Sequence, residues 1–261
     1  MLARWIGPDA PAWLSLCVVL IVGFIAGVQN SLAGGGSFLT FPMLLLTGLG
    51  PRAANVTSAV ALFPGQIATG YASRAGIVGL PQLSVRALVV ISLCGGAAGA
   101  LLLLATPTDF FAVLVPWLVL FATAVFAWGS FGPRAGSARR ALGVRATIAA
   151  QLAISIYGGY FGGGISILML AALTMAGLSV RGAWATKNLL AAVMNAAAVA
   201  IFVFSRDVDW KLTLCLGAGA ISGGQAGAYL FHRINEHFLR VSIVLLGLAL
   251  TVGLFWRAER H

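Results

Sequence analysis

A glycine triplet inside an apolar stretch occurs twice in this chain, and the copies stand 128 positions apart. Ala33-Gly34-Gly35-Gly36-Ser37-Phe38-Leu39-Thr40 is matched by Phe161-Gly162-Gly163-Gly164-Ile165-Ser166-Ile167-Leu168. Two further matches keep that spacing to within one residue. Arg52-Ala53-Ala54-Asn55-Val56-Thr57-Ser58 corresponds to Arg181-Gly182-Ala183-Trp184-Ala185-Thr186-Lys187, and Gly95-Gly96-Ala97-Ala98-Gly99-Ala100 to Gly223-Gly224-Gln225-Ala226-Gly227-Ala228. Duplicated, glycine-broken apolar segments point to a secondary transporter. Many such proteins pair two repeats whose interrupted helices meet near the bilayer midplane.

Composition places the chain in a membrane. Hydrophobic residues make up 60% of it and charged residues 8%, and its mean hydropathy is +1.00. A soluble domain carries about 25% charged residues. Apolar runs of about 20 residues, enough to cross the hydrocarbon core, cover 12–33, 83–105, 110–130, 183–205, 211–231 and 238–256. Shorter runs cover 37–49, 56–72, 146–160 and 165–178. Barrel strands would be shorter and would alternate polar with apolar residues. The expected fold is an all-α integral membrane protein of two tandem repeats, each of four to five helical segments, with glycine-broken helices. The expected division is a first repeat over 1–131, a basic linker over 132–145 and a second repeat over 146–261. The first run follows Arg4 as a leader peptide would, but run 146–160 is its counterpart, so it reads as part of the fold.

The formal net charge of +10 does not point to nucleic acid. The basic residues sit in the joints between apolar runs, where the positive-inside rule puts them. Arg134, Arg139, Arg140 and Arg145 make the linker cytoplasmic. Run 37–49 is too short to span, so it pairs with the run before it as a hairpin bent at the glycines. Each half then crosses an odd number of times and the halves are inverted; were the two runs to make one crossing together, the halves would be parallel, and the placement of Lys and Arg does not decide between the two. Cys17, Cys94 and Cys215 stand alone and read as small packing residues. Neither a metal nor a cofactor is expected.

Consecutive glycines break a helix, since each is about 1 kcal/mol worse than alanine there. In lipid, the freed backbone groups must face protein or a water-filled cavity. The half-helix that follows begins with unpaired N–H groups and a positive dipole end, which together suit an anion. Candidate substrate-binding residues are therefore Gly34, Gly35, Gly36, Ser37, Gly162, Gly163, Gly164 and Ser166. Thr57, Ser58, Thr186 and Lys187 open the segments after the breaks and add hydroxyls and one ammonium. Asn30 stands just before the first break, and Asn195 eight residues beyond Lys187 on nearly the same helical face. For each of these a purely structural role is the alternative: packing through small residues, or, for Lys187, reaching out to the interface. The six acids, Asp9, Asp109, Asp207, Asp209, Glu236 and Glu259, lie at segment ends or in loops. The interior then offers donors and no carboxylate, which suits an anion and not a cation. No enzyme is expected, because His232, His237 and His261 also lie at segment ends.

The pattern Gly23-Phe24-Ile25-Ala26-Gly27…Gly34-Gly35-Gly36-Ser37-Phe38…Pro42, followed by Ala54-x-x-Thr57-Ser58, resembles the TauE/SafE sulfite exporter family. Gly162-Gly163-Gly164 with Ala183-x-x-Thr186-Lys187…Asn195 is similar to that family's second repeat. The resemblance covers nearly the whole chain. It implies a multi-pass transporter of the bacterial inner membrane that moves small sulfur-containing or organic anions, sulfite and organosulfonates among them. Two departures stand out: Gln29-Asn30-Ser31-Leu32-Ala33 leads into the first glycines, and Leu170 stands where the second half would carry proline. Partners are a small anion and the bilayer, and a homo-oligomer is compatible with the sequence. An anion channel and a non-transporting membrane assembly protein are the alternatives.

Overall fold

A computed structural model describes residues 12–32, 35–131, 142–230 and 236–258. Trp5, Asp9, Gly34, Arg134, Arg139, Arg140, His232, Glu259 and His261 lie outside the described residues. Ten α-helices run in order among the described residues. They are α1 (Ala12–Leu32), α2 (Ser37–Leu46), α3 (Pro51–Ala72), α4 (Val85–Ala105), α5 (Thr108–Phe131), α6 (Val144–Tyr160), α7 (Ile165–Met175), α8 (Val180–Phe202), α9 (Trp210–Leu230) and α10 (Glu236–Ala258). The protein is an all-α membrane protein.

Helix starts follow the local chemistry. Pro51 takes the first turn of α3, where a missing N–H leaves nothing unpaired. Ser84 and Ser179 cap α4 and α8 through hydrogen bonds from the amides of Ala87 and Gly182. These caps start α3 and α8 earlier than apolar patterning alone suggests. Lys187 therefore lies two turns inside its helix.

Among the described residues, four helices are individually long and apolar enough to cross a membrane: α1, α4, α5 and α8. Helices α2 and α7 are short and each follows a glycine break. They make the returning arms of the α1–α2 and α6–α7 hairpins. Large apolar side chains such as Ile25, Val90, Leu101, Val113 and Trp117 face outward, as a lipid-facing surface requires. Trp13, Trp128, Trp210 and Trp256 are exposed near helix ends, where an interfacial belt sits. Cys17 and Cys94 also face outward and do not pack inside.

Two tight helix pairs build the frame. Helix α1 runs parallel to α9, and α4 parallel to α6, since contacts along each pair advance together in both members. In the first pair Gly23 meets Leu216, Gly27 meets Ala220 and Val28 meets Gly227; in the second Ser92 meets Gln151, Gly95 meets Ser155 and Gly99 meets Gly159. A methyl group at Gly27, Gly99, Gly159 or Gly223 would strike a carbonyl oxygen of the facing helix. Small residues let membrane helices approach this closely. Between the pairs, α3 and α8 cross. Gln66 meets Asn195, Gly70 meets Ala192 and Ser73 meets Asn188, so these two helices are antiparallel. Helix α5 likewise runs antiparallel to α10, with Trp117 on Phe255 and Thr123 on Gly247.

Candidate functional site

The glycine breaks come together. Gly35 and Gly36 of the first and Gly162 and Gly164 of the second line one cavity. It holds about 870 Å³ of empty space, the open space at its mouth included. Gly35 has φ +86, Gly162 +80 and Gly164 +74, a region where a side chain would be strained. Gly36 and Gly164 directly precede α2 and α7, so both short helices begin in the wall of this space.

Each break has its own polar brace. Gln29 Nε2 donates to Gly35 O at 2.9 Å, within the first hairpin. At the second break, Asn55 Nδ2 of α3 donates to Tyr160 O at 2.9 Å. A carbonyl freed where α6 ends is thus satisfied by a helix from the other half of the chain.

The remaining walls come mainly from α3 and α8. Asn195 Nδ2 donates to Gln66 Oε1 at 2.6 Å, and the hydroxyls of Ser58 and Thr40 share a 2.5 Å hydrogen bond. Among the described residues of the lining, Lys187 is the one charged side chain. It is 7% exposed, so it does not reach out to the interface. It makes no hydrogen bond or ion pair with any described residue. Asn30, Ser37 and Ser166 also line the cavity with their side chains unpaired to any described residue. The space therefore offers amide, hydroxyl and ammonium donors, and no carboxylate among its lining residues.

Three expected residues stand elsewhere. Gly163 lines a smaller space beside the cavity. Thr57 Oγ1 accepts from the Asp209 amide at 3.1 Å and donates to Asp207 O at 3.5 Å. Thr186 Oγ1 accepts from the Val78 amide at 3.1 Å and donates to Val78 O at 2.8 Å. Both threonines tie the start of a helix to a loop of the opposite half, off the cavity. Gly34 lies outside the described residues.

Asn55, Thr69, Gly158, Gly159, Phe161 and Phe202 also line the cavity without having been expected from sequence, and so do Gln66 and Asn188, the amide that follows Lys187. One signal was available. Gln66 stands 129 positions before Asn195, its hydrogen-bond partner. At the same spacing Ser58 answers Lys187, Ala59 answers Asn188 and Leu62 answers Ala191, and all of these line the cavity. Asn55 gave no such signal, because Trp184 stands at its counterpart.

Residues 19–254 match the family described as Sulfite exporter TauE/SafE. A "Probable membrane transporter protein" of Haemophilus influenzae is 27% identical, over 92% of this chain and 94% of the relative. "Probable membrane transporter protein ORF9" of Sinorhizobium sp is 30% identical, over 92% of each chain. "Probable membrane transporter protein YfcA" of Escherichia coli K12 is 28% identical, over 93% of this chain and 90% of the relative. No solved structure gives a significant match. A glycine-broken, donor-lined cavity inside a multi-pass helical protein, with a family match along almost its whole length, places the chain in the TauE/SafE family of membrane transporters.

Proposed function

We propose that the cavity binds a small anion, such as sulfite or an organosulfonate, and that the protein exports it by alternating access between two inverted halves. One observation carries the anion: Lys187 is buried, lines the cavity and has no acidic partner there. A buried ammonium is unfavourable unless something pairs with it. An anion entering the cavity would do so, while the backbone amides at α2 and α7 replace hydrogen bonds it left in water.

The inverted arrangement is supported by the directions of matched helices. By repeat spacing α8 is the counterpart of α3, and α10 of α5. Each of these pairs is in contact and antiparallel. A twofold axis relating antiparallel helices runs across them. If they span the bilayer, that axis lies in its plane, which is the inverted case. The Gln66–Asn195 hydrogen bond joins matched positions, as contacts on a twofold axis do. The substrate space would then lie on the axis, reachable from either side by rocking one half against the other. Export fits the energetics of a monovalent anion, since an inside-negative potential of 100 mV favours its exit by about 2.3 kcal/mol.

The test is Lys187→Ala in purified protein. Charge-assisted hydrogen bonds contribute about 1.5–3 kcal/mol, so sulfite affinity should fall by roughly 10- to 150-fold. Binding is read from the rise in melting temperature with sulfite, and transport from counterflow in proteoliposomes. Lys187→Arg should restore part of the affinity. Wild-type affinity in Lys187→Ala would reject the role.

A further inference from the structure

A second, smaller space adjoins the cavity, and one aromatic side chain stands between them. This space holds about 290 Å³, open space included, and lies between α2, α5, α10 and the second glycine break. Phe41 and Pro42 of α2, Val119 of α5 and Leu250 of α10 line it. Three residues face both spaces: Ser37, Asn55 and Phe161. Ser37 is small, and Asn55 is held by its bond to Tyr160 O. The Phe161 ring is the bulky element of the partition.

Phe161 is placed to move. It ends α6 and directly precedes Gly162, Gly163 and Gly164. Its ring rests edge-on against Phe41 at 5.7 Å and tilted against Tyr157 at 6.4 Å, with no hydrogen bond to fix it. The Tyr157 hydroxyl beside it is buried and finds no partner among the described residues. On its other side Phe161 packs, with Ile167 and Val244, against Phe38, Ala122 and Phe126. The Phe38 and Phe126 rings there meet edge-to-face at 5.8 Å.

We propose that the small chamber is the next leg of the translocation route and that Phe161 is its gate. The inference rests on the transport reading above. It adds which way the substrate leaves the cavity and which side chain must swing for it to do so.

The test reads accessibility without needing a transported substrate. Cys17, Cys94 and Cys215 are replaced by serine. Reporter cysteines are then placed singly, Val119→Cys in the chamber and Ala59→Cys in the cavity. Each is labelled with the anionic reagent 2-sulfonatoethyl methanethiosulfonate in lipid nanodiscs. With Phe161 present, Val119→Cys should react slowly and Ala59→Cys readily. Phe161→Ala should speed the Val119→Cys reaction at least tenfold and leave Ala59→Cys within twofold. Equal Val119→Cys rates with and without the ring would overturn the gate. So would equal acceleration of both reporters, which means general loosening. Should Phe161→Ala fail to fold, Phe161→Leu is read the same way, with at least a threefold change required. Absence of sulfite counterflow in the unaltered protein would reject the anion reading and leave the labelling comparison standing.

Discussion

The starts of α3 and α8 are matched in sequence, yet they are held differently. At each, a threonine hydroxyl bonds the backbone of a loop from the opposite half: Thr57 to Asp207 and Asp209, Thr186 to Val78. Thr57 and Thr186 stand 129 positions apart, and so do Val78 and Asp207. The hydrogen bond therefore recurs with both of its partners. The charges do not. Arg52 Nε lies 3.0 Å from Asp207 Oδ2, and its Nη1 also donates to Thr106 O at 3.0 Å. Its counterpart Arg181 is exposed, and Val78 stands at the position that matches Asp207. A feature present at both ends belongs to the frame, while a feature present at one end distinguishes the two. The same rule separates the cavity lining, where Lys187 answers Ser58 and Asn188 answers Ala59.

Removing the charge difference should have the largest effect on stability. Asp207→Ala leaves Arg52 about four-fifths buried without its acid, and should cost about 1–3 kcal/mol, read as a lower melting temperature in detergent. Replacing both residues with leucine should recover part of that loss. If Asp207→Ala melts like the wild type, the ion pair contributes nothing and the two ends are equivalent.

The shared clamp comes next. Thr57→Val and Thr186→Val each remove one interhelical hydroxyl, worth about 0.6 kcal/mol on average and up to about 1.7 in membrane proteins. Thr186→Val should be the more destabilising, because the bond that its hydroxyl donates is 2.8 Å against 3.5 Å for Thr57, while each accepts an amide at 3.1 Å. The reverse order, measured by melting temperature, would show that the Asp209 amide bond dominates at Thr57.

The smallest change builds the missing partner. A side chain at Gly182, next to Arg181, would touch Val78, so Val78→Asp places an acid within reach of Arg181. An exposed pair contributes about 0.2–1 kcal/mol and weakens with salt. Melting temperature should rise slightly at low ionic strength, and sulfite counterflow should slow as this end becomes harder to open. Arg181→Ala alone should stay within about 0.5 kcal/mol of wild type. A clear loss there would mean that Arg181 already has a role this end was thought to lack.

Much of the fold was legible because membrane burial writes itself into local composition. The apolar runs gave ten segments within a few residues of their helices, and the matched glycines marked the two hairpin bends. Capping by Ser179 and proline at Pro51 shifted two helix starts, a local signal that apolar patterning underweights. Recurrence was a poorer guide to the cavity. It flagged Thr57 and Thr186, whose hydroxyls are engaged with loops, and it passed over Asn55, whose partner Tyr160 lies 105 positions away.

The sequence by itself determined that this chain enters a membrane, where its helices break, and that its acids stand at segment ends or in loops, since each follows from residue type and order along one segment. Only the tertiary structure decided that both breaks open into one cavity, that α3 and α8 cross in opposite directions, and that Lys187 is enclosed there and does not reach the interface. Those properties depend on helices far apart in the chain closing around a common space. Side-chain burial and the pairing of polar groups are set by that closure, and no single segment contains it.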